Sequence, residues 1–118
     1  MDKKVRELIN TQINKEFYSA YLYLDFSGYY NDLGLDGFAN WYEVQAQEER
    51  DHAMLMRQYL YNNGEHVTLL PIEKPDKEYK TAEDPLRFAL EHEKYVTELI
   101  NAIYAAADAV HDYRTMQC

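Results

Sequence analysis

A chain of 118 residues, 47% of them hydrophobic, is long enough for one packed domain and too apolar to remain disordered; with 4 Gly and 3 Pro it points away from a loop-rich or many-stranded fold and towards long helices. The 21 acidic against 12 basic residues leave a net charge of −9, which disfavours nucleic acid as a partner and favours cations. One cysteine, Cys118, excludes an intrachain disulfide and a cysteine-based zinc site.

The N-terminal Met-Asp-Lys-Lys-Val-Arg-Glu lacks the apolar stretch of a signal peptide. The longest apolar run, Ala102 to Ala107, is too short for a bilayer, so no membrane partner is expected and the location is read as cytoplasmic. A first helix is expected over 3–33, with Asp2 as N-cap. Its stripe reads Val5, Leu8, Ile9, Ile13, Ala20, Leu24 and Ser27, and Gly28 is tolerated inside it. After the turn cluster 31–37, a second helix is expected over 36–63, with Gly64 as its stop and a stripe of Phe38, Tyr42, Ala46, Ala53, Met56 and Leu60.

Residues 65–81 carry no helical period; they hold Pro71, Pro75 and a β-prone stretch, Val67 to Leu70. Thr81 is expected to cap a third helix over 82–110, with Asp84 as the capping-box acid and Pro85 in the first turn. Its stripe runs along Leu86, Ala89, Leu90, Val96, Ile100, Ile103, Tyr104 and Ala107, and a short tail, 111–118, follows. A helix of about 28 residues is roughly 42 Å long, and a 17-residue connection extends to about 60 Å. The connection is therefore read as a long crossover that makes the second and third helices parallel, in a single all-α bundle over 1–118 with three long helices.

Each stripe is broken once, near mid-helix, by a ligand-type residue. Glu16 falls on the first, Glu49-x-x-His52 on the second, and Glu93 on the third. Packing along the stripes brings three carboxylates and one imidazole to one level. Arg50 and Lys94 lie on neighbouring faces, so no basic side chain neutralises the cluster. Unpaired buried carboxylates are costly, and a cation relieves that cost. Oxygen donors with one imidazole suit iron or manganese, and zinc could substitute.

One Glu from each of two helices and Glu-x-x-His from another is the pattern of the ferritin-like di-iron proteins. The local sequences resemble bacterial non-haem ferritins: Glu16-Phe17-Tyr18-Ser19-Ala20-Tyr21-Leu22-Tyr23, Ala46-Gln47-Glu48-Glu49-Arg50-Asp51-His52-Ala53, His92-Glu93, and the crossover Ile72-Glu73-Lys74-Pro75. The resemblance implies iron binding, oxidation by O₂ and storage. It implies that Glu16, Glu49 and His52 hold a first iron, that Glu49 bridges to a second bound by Glu93, and that Tyr23 stands beside the centre. Glu48 is implied as an accessory iron site. Glu49 and Tyr23 are then the candidate catalytic residues of a ferroxidase.

The family's fourth helix is expected to be missing, with Asp112-Tyr113-Arg114-Thr115 resembling its opening turn. The first and third helices would then leave apolar stripes uncovered; either other copies fill the groove in a homo-oligomer, with helix exchange as one route, or the chain is a truncated product with altered assembly. The rival readings are a non-catalytic subunit binding one metal and a structural subunit with an empty site. Rubrerythrin-type peroxidases and DNA-protecting miniferritins fit less well, because a second Glu-x-x-His, a cysteine-rich iron domain and a basic tail are not found.

Overall fold

The computed structural model describes residues 1–117; Cys118 lies outside them. Three long helices, α1 (Lys3–Asp32), α2 (Asp36–Asn62) and α3 (Asp84–Ala109), are followed by one short turn of helix, α4 (Tyr113–Met116), in a body measuring 49 × 22 × 21 Å. Among the described residues there is no strand, and no helix is long and apolar enough to cross a membrane.

Local chemistry sets the helix ends. The Asp2 carboxylate accepts from the Val5 amide at 3.1 Å. Asp84 starts α3, two residues later than the pattern suggested, and Glu83 rather than Thr81 is its N-cap residue. The acid still reaches back: Asp84 Oδ2 accepts from the amides of Lys80 (2.7 Å) and Thr81 (2.9 Å). These bonds hold the Asp84 carboxyl below its usual range. Gly34 and Gly64 adopt φ of +73° and +72°, and each is followed by an amide that bonds back five residues, Leu35 to Tyr30 and Glu65 to Leu60. His111 repeats this geometry at φ 59°, with the Asp112 amide on the Ala107 carbonyl at 2.8 Å.

Helix α1 is the axis of the bundle. Its inward residues Val5, Ile9, Gln12, Glu16, Ser19, Tyr23, Phe26 and Tyr30 are all buried and follow steps of four and three. Leu24, placed on the stripe by the apolar pattern, is instead 50% exposed. The large rings of Tyr23, Phe26 and Tyr30 carry the phase, because each buries more apolar area than a leucine. Both α2 and α3 pack on α1. Tyr30 near the end of α1 stacks on Phe38 at the start of α2 and bonds the Ala82 carbonyl just before α3. Val5, Ile9 and Ile13 pack in one cluster with Leu60 and Ala107. Hence both helices run antiparallel to α1 and parallel to one another.

The crossover runs along α1 from one end towards the other. Asn10 and Asn14 clamp it: their Oδ1 atoms accept from the Thr68 and Leu70 amides, both at 2.8 Å, and their Nδ2 atoms donate to the Thr68 carbonyl. The β-prone residues thus pair with asparagine side chains instead of a strand. Further on, Tyr79 bonds Asp25. The longer uncovered apolar rows lie on α2 and α3: Trp41 and Leu55 are exposed on α2, and Leu86, Leu90, Ile100 and Tyr104 on α3. Helix α1 buries its inward face against both neighbours and exposes only Tyr21 and Leu24 among its large apolar side chains.

Candidate metal centre

At mid-height α1 presents Glu16, which is 1% exposed. Gln12, one turn earlier, donates through Nε2 to Glu16 Oε1 at 2.9 Å. Glu16 Oε2 is buried without a hydrogen-bond partner. A buried carboxylate oxygen in that state is costly and calls for a cation or a proton. Helix α2 supplies Glu49 and, one turn on, His52, with Nδ1 3.5 Å from Glu49 Oε2. One ligand atom each of Glu16, Glu49 and His52 lies within 4.8 Å of the others, compact enough to surround one ion.

Charge crowding dominates the centre. Glu49 is pushed up to about 9, by burial first, then by the adjacent Glu16 carboxylate, then by the charges of Glu93 and Glu48. Crowding of these carboxylates favours the protonated form of Glu49 in the metal-free centre.

Glu93 does not join the set of three. It is an exposed residue of α3, and its Oε1 accepts from the Tyr23 hydroxyl. Burial, followed by that bond, lifts the Tyr23 phenol far above its ordinary value. Glu48 is exposed beside Glu49 and reaches the centre only through its charge. Sequence reasoning passed over Gln12 and gave Ser19 and His92 no role beyond their place in the family-like segments. His92 turns towards α1, with Nε2 2.6 Å from Ser19 Oγ and its ring edge-on to Tyr23. Burial lowers its pKa, against the opposing charges of Glu93 and Glu16. The signal was present: Gln12 continues the spacing of Val5 and Ile9, and His92 stands between Ala89 and Val96 on the face of α3 that meets α1.

A helical bundle that converges carboxylates and an imidazole on an unsatisfied buried oxygen belongs to the class of carboxylate-rich cation-binding bundles. The ferritin-like domain, as a family pattern, matches residues 6–118. A bacterial non-heme ferritin of Campylobacter jejuni is 36% identical over 115 residues, spanning 98% of this chain and 69% of the relative. A probable bacterial non-heme ferritin-like protein of Haemophilus influenzae is 34% identical, spanning 96% and 68%. Among solved structures, an open pore ferritin of the archaeon Archaeoglobus fulgidus superposes with a TM-score of 0.96 at 38% identity, covering 99% of this chain and 72% of that one. A closed form of the same ferritin, engineered by mutagenesis, gives 0.95 at 38%, covering 99% and 71%. The chain belongs to the ferritin family.

Proposed function

We propose that this chain binds ferrous iron between its helices, oxidises it with dioxygen and passes the ferric product to storage. The observation that carries the reading is the buried, unpartnered Oε2 of Glu16 facing Glu49 and His52. Iron is the substrate here. Glu16, Glu49 and His52 take the first ion, and Glu49 loses its proton as the ion arrives. Glu49 then bridges to a second ion, for which Glu93 exchanges its bond from Tyr23. Carboxylates favour the higher charge of ferric iron and so pull the electron out. Manganese or zinc fits the same donors. Exposed Glu48 is a hand-over point to solvent, and the net charge of −9 concentrates cations at the surface.

A non-catalytic reading has one observation in its favour: Glu93 stands outside the set of three and its oxygen is engaged by Tyr23. One metal per chain, with no oxidation, would follow. Aerobic ferrous oxidation followed by absorbance decides, with Glu49→Ala alongside. Rapid oxidation of about two ions per chain, lost in Glu49→Ala, is expected. Oxidation at the rate of buffer in both proteins overturns the ferroxidase reading.

The same reading includes association of copies, with helix exchange as one route. Its support is the exposed apolar row on α3.

A further inference from the structure

A cavity of about 380 Å³ lies between α1, the crossover and α3, and none of Glu16, Glu49, His52 or Glu93 lines it. Its size suits a small organic molecule. One side is rich in rings: Tyr18 and Tyr95 have centroids 6.0 and 6.2 Å from that of His92, and Phe88 stands one turn before His92 on α3. The crossover closes the other side with Leu70, Pro71 and Ile72.

These walls are held in place by the protein itself. Asn14 Oδ1 accepts from the Leu70 amide at 2.8 Å, before the lining segment. Beyond it, Tyr79 bonds Asp25 and packs 6.1 Å from Phe88. His92 is fixed to α1, its Nε2 2.6 Å from Ser19 Oγ. A preformed cavity loses little freedom when a ligand enters, so a few good contacts suffice.

Two lysines reach over the rings. Lys15 Nζ lies 6.0 Å from the Tyr95 centroid, and Lys77 Nζ lies 5.2 Å from that of Phe88. Arg87 also covers Phe88, at 5.1 Å, but it is paired with Asp84 at 3.2 Å. Lys15 and Lys77 make no ion pair among the described residues, in a chain with 21 acidic side chains to offer. Glu73 and Glu91 also line the cavity, but both are exposed, and water screens their charge. Lys15 is half-buried and is screened less. The rings call for a flat apolar body, and the two ammonium groups call for an anion at its edge.

We propose that this cavity binds a planar aromatic monocarboxylate, with its ring system against Tyr18, Phe88 and Tyr95 and its carboxylate on Lys15 and Lys77. A saturated chain of the same charge fills the space but forgoes the ring contacts. A neutral aromatic makes the ring contacts but forgoes the charge-assisted hydrogen bonds. The site is independent of iron, since none of the proposed iron ligands lines it.

The test is titration of the full chain with 2-naphthoate, followed by the fluorescence anisotropy of the ligand. A dissociation constant of about 10–100 μM is expected. Lys15→Met and Lys77→Met keep the apolar stem and remove the charge; each should weaken binding about tenfold with the helical circular dichroism unchanged. The neutral analogue 2-naphthylmethanol and the saturated anion octanoate, the latter read by competition, should each bind about tenfold more weakly than 2-naphthoate. Leu90→Lys should bind as the wild type does, which separates the cavity from the exposed row of α3. No saturable binding below about 1 mM overturns the site. So does wild-type affinity in both lysine variants, equal affinity for the neutral alcohol, or loss of binding in Leu90→Lys. Octanoate that competes as an equal overturns the aromatic class of the ligand.

Discussion

Gln12 holds Glu16 by one oxygen only: Nε2 meets Oε1 at 2.9 Å and leaves Oε2 buried without a hydrogen-bond partner. The amide thereby fixes the rotamer of a ligand-type carboxylate before any ion arrives. Gln12→Leu keeps the volume and deletes the donor. Divalent-metal affinity, read by anaerobic calorimetric titration with Fe²⁺ or Co²⁺, should fall about 10- to 100-fold. Unchanged affinity would mean that Gln12 only fills space.

The proton on Glu49 makes the stability of the metal-free protein depend on pH. Its folded value of about 9 lies above the ordinary 4.5, so the folded chain holds a proton that the unfolded chain releases. The slope of unfolding free energy with pH is then negative: stability is full below 4.5 and is lost as pH rises towards 9. Glu49→Gln removes this dependence and should stabilise the metal-free protein at pH 8 by about 1 kcal/mol. Thermal melts between pH 5 and 8.5 check this. Parallel curves for the two proteins would show that Glu49 does not carry the proton.

Much of this arrangement was legible in the sequence, and the rest was hidden for physical reasons. Glu16, Glu49 and His52 stood out because each is polar on an apolar stripe, and the structure brings those three together. Glu93 stood out for the same reason yet sits at the exposed edge of the α1–α3 contact, where the Tyr23 hydroxyl engages it. Periodicity defines a face but not the neighbour it meets. Helix α3 has two usable faces: the one on α1 is small and mixed (Ala89, His92, Val96, Ala107), and the more apolar one is uncovered. In α1, counting only aliphatic residues shifted the stripe to Leu24, whereas Tyr23, Phe26 and Tyr30 hold the inward phase. The crossover pairing was invisible because Asn10 and Asn14 act through side-chain amides, which follow no periodic pattern.

Three helix ends share one geometry but not one residue type. Gly34 and Gly64 take positive φ without a side chain, while His111 takes φ 59° with one. A branched backbone position there costs roughly 1–2 kcal/mol. His111→Gly should therefore raise stability by about 1 kcal/mol, and Gly64→Ala should lower it by a similar amount. The space around Gly64 is open, so its substitution reports backbone strain alone. Urea unfolding of both variants checks the pair. A loss in His111→Gly would mean that the bond from the Tyr113 hydroxyl to His111 Nδ1, at 3.2 Å, outweighs the strain.

The uncovered face of α3 leads to the last prediction. Leu86, Leu90, Glu93, Thr97, Ile100 and Tyr104 follow each other in steps of four and three, the spacing of a helix that packs along a second helical seam. Leu90 is 60% exposed and Tyr104 53%, so replacing either disturbs no internal contact of consequence. Val96, at 9%, faces α1 instead. If copies associate through the seam, Leu90→Lys should lower the mass seen by light scattering while leaving the helical circular dichroism intact. Val96→Asp should do the reverse: it buries a charge against α1 and should cost several kcal/mol of stability, roughly 3 or more. A wild-type protein that already runs as a monomer at micromolar concentration, with Leu90→Lys indistinguishable from it, would remove the seam as an association surface.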